Sequence, residues 1–376
     1  MKIANTIKHL VNQPTVPYDY YSILKQQSVA LYGAGTVGRD ALKILSKAGV
    51  CVRFFLDQAA FPNQQIEGIP VLRPDATNLS TKDRHETTVI VTVFNFSVNM
   101  PLLHDNIKRL GWKSLITFLQ FYQNFAPAMG DRFWLTSLDY YRPHAAKLQA
   151  VADLFADKKS LLVFNAILRF RATGDYSVLP PPDLNDQYFP KDIPIWQTPL
   201  RFIDCGAFDG DTFLQIKKLD LPLEAVAAFE PDRDNFKQLT AVLTQSDPQI
   251  NFCSAWPCAV DAETSQFMFD GGRGAGSTIS TSGQQVVQSV SLDQALPNFR
   301  PNLIKMDIEG SEYRALLGAR ETIKKYRPGL AICLYHKPEH LWQIPLLVRQ
   351  LTEKGGQFFI RCHAFNGFEL VLYYLP

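Results

Sequence analysis

The chain has no stretch approaching the roughly 18 continuous apolar residues that a membrane-spanning helix needs, so it is not read as an integral membrane protein. Its first twenty residues, MKIANTIKHLVNQPTVPYDY, lack the apolar core of an export signal, and the expected compartment is the cytoplasm. It also lacks an excess of either charge. With 38 basic against 36 acidic residues and no block of like charge, it shows no electrostatic footprint for nucleic acid or an anionic membrane. The six cysteines (Cys51, Cys205, Cys253, Cys258, Cys333, Cys362) form no CxxC pair and have no histidine at metal-binding spacing, so they read as reduced core residues. What the chain does have is apolar mass. It is 46% hydrophobic and 20% charged, enough to fill sizeable cores, and 376 residues suit two domains at the usual ~100–200 residues each.

Two glycine turns organise the sequence. The first lies in SVALYGAGTVGRDALKIL, an apolar strand followed by Gly33-x-Gly35-x-x-Gly38 and a segment with Ala41, Leu42, Ile44 and Leu45 on one helical face. Glycines at a strand-to-helix turn let the backbone approach a pyrophosphate beside a helix N-terminus, and Asp57 ends the next strand where a ribose-binding acid would stand. The same glycines equally serve a tight turn with close helix packing. Apolar runs at CVRFFLD, GIPVL, TTVIVTVF and KSLITFL continue the rhythm of a parallel sheet, which is expected to end near residue 125. This stretch resembles the small Rossmann-like domains that precede sugar-modifying enzymes, which bind a nucleotide or act as scaffolds. Residues 126–198 carry aromatic and aliphatic residues at helical spacing and read as a helical connector.

The second turn, RFIDCGAFDGDT, differs in its chemistry. Asp204 ends the strand two positions before Gly206, and a carboxylate there repels a pyrophosphate but suits a cofactor that carries a sulfonium and an ammonium group. The next strand, AVAAFE, ends in Glu230, 24 positions after Gly206, where a carboxylate can accept both ribose hydroxyls. Further strands are expected near 250–254, 265–270 and 286–292, with a glycine-rich loop Gly271–Gly276 bearing Arg273. NLIKMDIEGSE then brings Asp307, Glu309 and Glu312 to the carboxyl end of a strand, the usual ligand side of an open α/β sheet. GLAICLYH ends at His336, and QFFIRCHAF and FELVLYYLP flank Asn366-Gly367, a hairpin signal.

In combination, FIDCGAFDGDT, AFEPD, VSLDQAL, LIKMDIEGSE and the terminal His-x-x-Asn-Gly hairpin resemble the FkbM family of methyltransferases over residues 201–376, with a lead-in at 162–193. That resemblance implies an α/β chain with two Rossmann-like domains, at 1–125 and 199–376. The second would be a class I methyltransferase sheet ending in an antiparallel hairpin. It further implies S-adenosylmethionine-dependent O-methylation of a sugar, glycan or polyketide-like hydroxyl. Asp204, Gly206 and Asp209 would line the methionine end of the cofactor, Glu230 the ribose, and Asp261 the neighbourhood of the adenine. Asp307, Glu309 and His336 are the candidates to orient the acceptor or take its proton, with His363 a weaker one. The other readings of Asp307 and Glu309 are as caps of the following helix, or, with Glu312, as oxygen ligands for Mg²⁺; no required metal is expected. The partners expected are a small-molecule or glycan acceptor, with no nucleic acid and no membrane, and self-association is left open. Two alternatives stand beside this reading: a nicotinamide-dependent sugar-nucleotide enzyme working through Gly33, Gly35, Gly38 and Asp57, and a noncatalytic nucleotide- or glycan-binding protein.

Overall fold

The computed structural model describes residues 7, 19–136, 138–194, 196–244, 250–270, 278–279, 285–353 and 355–376. They divide into two compact units, one from Met1–Ala146, Asn165–Pro182 and Ala364–Phe368, the other from Lys147–Phe164, Asp183–His363 and Glu369–Pro376. The stretch 126–198 contains the helices Ala145–Ala152 and Lys158–Thr173 and is divided between the two units. No helix among the described residues is long and apolar enough to cross a membrane.

In the first unit, β1 (Ser28–Tyr32), β2 (Val52–Leu56), β3 (Gln65–Ile66), β4 (Ile69–Leu72), β5 (Thr87–Val91) and β6 (Ser114–Ile116) form one sheet in the order β3-β4-β2-β1-β5-β6. All its pairings are parallel except β3 with β4. The helix Thr36–Lys47 buries Gly38, Ala41, Leu42 and Leu45, the i, i+3, i+4, i+7 stripe of a helix laid on a sheet. A Cβ at Gly38 would stand 2.0 Å from the Gly33 carbonyl oxygen, so here the glycine fingerprint serves close packing of helix on turn. Asp57 accepts from Ala34 N–H in the glycine turn and from Ala59 N–H, each at 2.9 Å.

The second unit is built on a seven-stranded sheet. Its strands are β7 (Leu200–Cys205), β8 (Leu223–Phe229), β9 (Phe252–Trp256), β14 (Leu303–Met306), β15 (Gly329–Cys333), β16 (Gln357–Cys362) and β17 (Leu370–Leu375). The order is β16-β17-β15-β14-β7-β8-β9. Every residue of β14 and β15 is buried, the pattern of strands covered on both faces, and all but Lys305 are apolar or glycine. β17 runs antiparallel to both β15 and β16, so the expected hairpin is present; Asn366 and Gly367 take φ of 64° and 78° at its turn. A smaller sheet joins β10 (Ala259–Val260), β13 (Gln285–Val290), β11 (Ser265–Asp270) and β12 (Thr278–Ile279) in that spatial order. The loop Gly271–Gly276 with Arg273 lies outside the described residues.

Candidate active site

The site is assembled where β7, β8, β14 and β15 end side by side. Asp204 on β7 and Lys305 on β14 are register partners in the middle of the sheet. Lys305 Nζ lies 2.9 Å from Asp204 Oδ1, and both side chains are almost fully buried. The same ammonium donates to the carbonyl of Gly206 at 2.5 Å. Burial pushes the Asp204 carboxyl up to about 6 against the pull of Lys305. The group expected to meet the cofactor's ammonium is thus already paired with an ammonium of the protein.

Gly206 begins the turn at φ +80°, and a Cβ there would stand 1.9 Å from the Asp307 carbonyl oxygen. Only glycine lets the end of β7 pass this close to the end of β14. The turn keeps its donors for itself: Gly206 N–H and Ala207 N–H both point to Phe229 O at 3.0 Å, and Phe208 N–H points to Glu230 Oε2 at 2.9 Å. Those three N–H groups are not left over for a pyrophosphate, unlike the donors of a dinucleotide turn.

Glu230 follows β8 and is held at both oxygens. Oε2 takes the Phe208 N–H and Oε1 the Asp232 N–H at 2.8 Å, while Asp232 itself caps the helix Arg233–Leu243. Burial pushes its carboxyl up to about 7. Each oxygen retains a second lone pair for a hydroxyl donor. Asp209, also in the turn, has its Oδ1 buried without a hydrogen-bond partner among the described residues.

The DIEGSE turn builds the second half of the site. Glu309 and Gly310 take φ of 53° and 99°, which folds the chain back so that Glu312 accepts from Ile308 N–H at 2.9 Å. Glu312 therefore bonds the backbone of the turn, and Asp307 and Glu309 face the site. Glu312 is fully buried and holds two histidines, His336 Nδ1 at 2.7 Å and His340 Nδ1 at 3.3 Å. This anchors the His336 ring so that Nε2 faces Asp307 Oδ1 at 3.4 Å and Glu309 Oε2 at 3.5 Å. Asp307 also accepts from two phenols, Tyr188 Oη at 2.7 Å on Oδ2 and Tyr335 Oη at 3.2 Å on Oδ1.

The protonation of this cluster follows from its packing. Burial alone would lower the His336 imidazole, but Glu312, Glu309 and Asp307 overcome it and hold the ring up to about 10, so it is a cation at neutral pH. For Glu312, burial would raise the carboxyl, and His336 with His340 and the Ile308 N–H bring it down to about 2. Burial pushes Glu309 up to about 8 against the pull of His336, and Glu369, beside β17, up to about 7. His340 is lowered by burial to about 4 and stays neutral.

The remaining expected residues lie apart from this cluster or are engaged elsewhere. Asp261 is buried and accepts from Arg314 Nε at 2.6 Å and Ala262 N–H at 2.7 Å. His363 bridges Asp183 O at 2.8 Å and Tyr373 Oη at 2.7 Å, and that hydroxyl accepts from Tyr188 N–H, so His363 braces the segment carrying Tyr188. Two groups, Asp307 with Glu312 and His336, and Asp307 with Cys333 and Glu369, bring ligand-type atoms within 4.8 Å of one another. In the first, the histidine and both carboxylates are already joined by hydrogen bonds and ion pairs.

Lys305, Tyr188, Tyr335, His340 and Glu369 complete the site without standing out in its motifs. Lys305 did leave a trace, as a lone charge inside the apolar run NLIKM. Tyr188 sits in the lead-in DQYFPKDI, where nothing local distinguishes it from a packing aromatic.

Residues 204–358 match the methyltransferase FkbM domain family. The crystal structure of a methyltransferase FkbM from Methylobacillus flagellatus KT superposes with a TM-score of 0.79 at 21% identity, over 100% of this chain and 98% of that one. No curated protein matches the chain in sequence. The matched segment begins at Asp204 and includes Gly206, Glu230, Asp307 and His336, so the glycine turn and most of the polar cluster fall inside one domain: the chain carries a methyltransferase domain of the FkbM family.

Proposed function

We propose that this protein is an S-adenosylmethionine-dependent methyltransferase acting on a hydroxyl of a sugar, glycan or polyketide-like acceptor. The observation that carries the reading is the pairing of two unlike half-sites at neighbouring strand ends. One is a glycine turn whose N–H groups are spent internally and whose flanking acids are Asp209 and Glu230. The other is a buried polar cluster around Asp307.

The residues present fit the cofactor. The Gly206 cradle excludes any side chain, Glu230 retains lone pairs for ribose hydroxyls, and the buried Asp209 Oδ1 lacks the donor that an ammonium would supply. When bound, the cofactor supplies an electrophilic methyl on a sulfonium. The chain's own task is to orient an alcohol oxygen and accept its proton, since alignment alone is worth effective molarities of ~10⁵–10⁸ M. Asp307 is the acceptor of that proton: its side chain is partly exposed, and the two phenols and the His336 imidazolium fix its direction. His336, cationic at neutral pH, orients and balances charge there in place of acting as the base. Glu309, on the partly exposed side of His336, faces the acceptor.

Calorimetric titration with S-adenosylhomocysteine, S-adenosylmethionine and NAD(H) tests the reading, with Glu230→Ala as control. Saturable binding of the first two, weakened in the variant, is expected. Binding of NAD(H) alone, or of none of the three, overturns it.

A further inference from the structure

We propose that Lys305 is the positioning residue of the methyl-transfer site, setting the Gly206 turn for the cofactor through its bond to the Gly206 carbonyl. The inference rests on the methyltransferase reading above and deepens it. A lysine in the middle of a central strand is costly to bury unless its charge is matched and its protons are bonded. Here both conditions are met by groups of the turn: Asp204 Oδ1 at 2.9 Å, in register on the next strand, and the Gly206 carbonyl oxygen at 2.5 Å.

The position of Lys305 joins the two half-sites. It lies two residues before Asp307 on the strand that carries the acid. Its Nζ sits over the ring of Tyr188, 5.3 Å from the centroid, and the hydroxyl of that ring donates to Asp307 Oδ2. Gly206 in turn passes directly beneath the Asp307 carbonyl. One ammonium therefore fixes the cofactor turn against the strand that presents Asp307 and against the aromatic that orients it. Asp204, with Oδ1 paired to that ammonium, acts as its counter-ion and not as the direct ligand of a second ammonium.

A counter-ion role alone and a positioning role predict different double variants. Lys305→Met leaves Asp204 buried without its partner, whereas Asp204→Asn combined with Lys305→Met leaves no charge there. S-adenosylhomocysteine affinity would be measured by calorimetry for the wild type, Lys305→Met, Asp204→Asn and the double variant, with unfolding curves as a check on folding. A charge-assisted hydrogen bond that orders the turn is worth roughly 10- to 100-fold in affinity. Lys305→Met should lose that much, and the double variant should stay weakened because the Gly206 carbonyl still lacks its donor. Recovery of wild-type affinity in the double variant, or wild-type affinity in Lys305→Met, overturns the proposal. If Lys305→Met does not fold, the charge-free double variant decides alone. A wild-type protein that does not bind S-adenosylhomocysteine removes the methyltransferase reading itself, and this proposal with it.

Discussion

Replacing Glu312 by glutamine should destabilise the fold in a way that depends on pH. The carboxylate is fully buried, holds His336 and His340, and accepts from the Ile308 N–H. Bringing it from its ordinary 4.5 down to about 2 corresponds to roughly 3 kcal/mol at ~1.4 kcal/mol per tenfold, near the low end of the ~3–5 kcal/mol lost when one partner of a buried pair is removed. The rise of His336 to about 10 is larger because Glu309 and Asp307 also face the ring. Glu312, lowered in the fold, contributes stability above 4.5 that is lost as pH falls through 2. His336, raised in the fold, contributes stability below 6.5 that is lost as pH rises through 10. The cost of Glu312→Gln should therefore be greatest between about pH 4.5 and 6.5 and shrink towards pH 10. Urea unfolding of both proteins near pH 6 and near pH 10 measures it. A cost below ~1 kcal/mol near pH 6, or an equal cost at both values, would refute the assigned charges.

Three further outcomes follow from the same geometry. Gly206→Ala, with φ +80° and a Cβ 1.9 Å from the Asp307 carbonyl, should cost ~2–3 kcal/mol or more and abolish tight S-adenosylhomocysteine binding; an alanine variant with unaltered melting and affinity would disprove the close approach. Glu230 is raised in the fold to about 7, so the stability it contributes is complete below 4.5 and lost as pH rises through 7; the urea midpoint of Glu230→Gln relative to wild type should rise from about pH 5 to about pH 8, and a constant difference would contradict it. Because internal hydrogen bonds and ion pairs already join Asp307, Glu312 and His336, a chelator should leave S-adenosylhomocysteine affinity unchanged, and restoration of lost binding by Mg²⁺ would reverse that assignment.

The seven-stranded sheet was legible because its strands are short apolar runs ended by acids, glycines and a hairpin pair, features that are local in sequence. The roles of the acids were less so. Asp204 looks in sequence like an open carboxylate at the mouth of a turn, yet its register partner, 101 positions later, neutralises it. His336 reads as a base until Glu312, Glu309 and Asp307 are seen around it. In each case what decides the chemistry is a neighbour brought in by folding, and spacing along the chain does not carry that information. Gly206 is the reverse case, since its need for glycine is fixed by one backbone contact and its motif already announced it.

The placement of β17 affects how damage to the molecule spreads. It lies between β15 and β16 and bonds to both. Loss of an edge strand leaves a sheet one strand narrower, but a cut before Leu370 divides this one. Once Leu370–Pro376 has left, β16 keeps its bonds to the 156–160 segment and to Asp192, and β15 becomes a new rim with its hydrogen-bonding groups bare. Such a rim is a template for pairing with other chains. Nicking within a few residues of Glu369 would thus turn a folded enzyme into a seed for association, and a protease that reaches this turn would do more harm there than at the outer edge of β9.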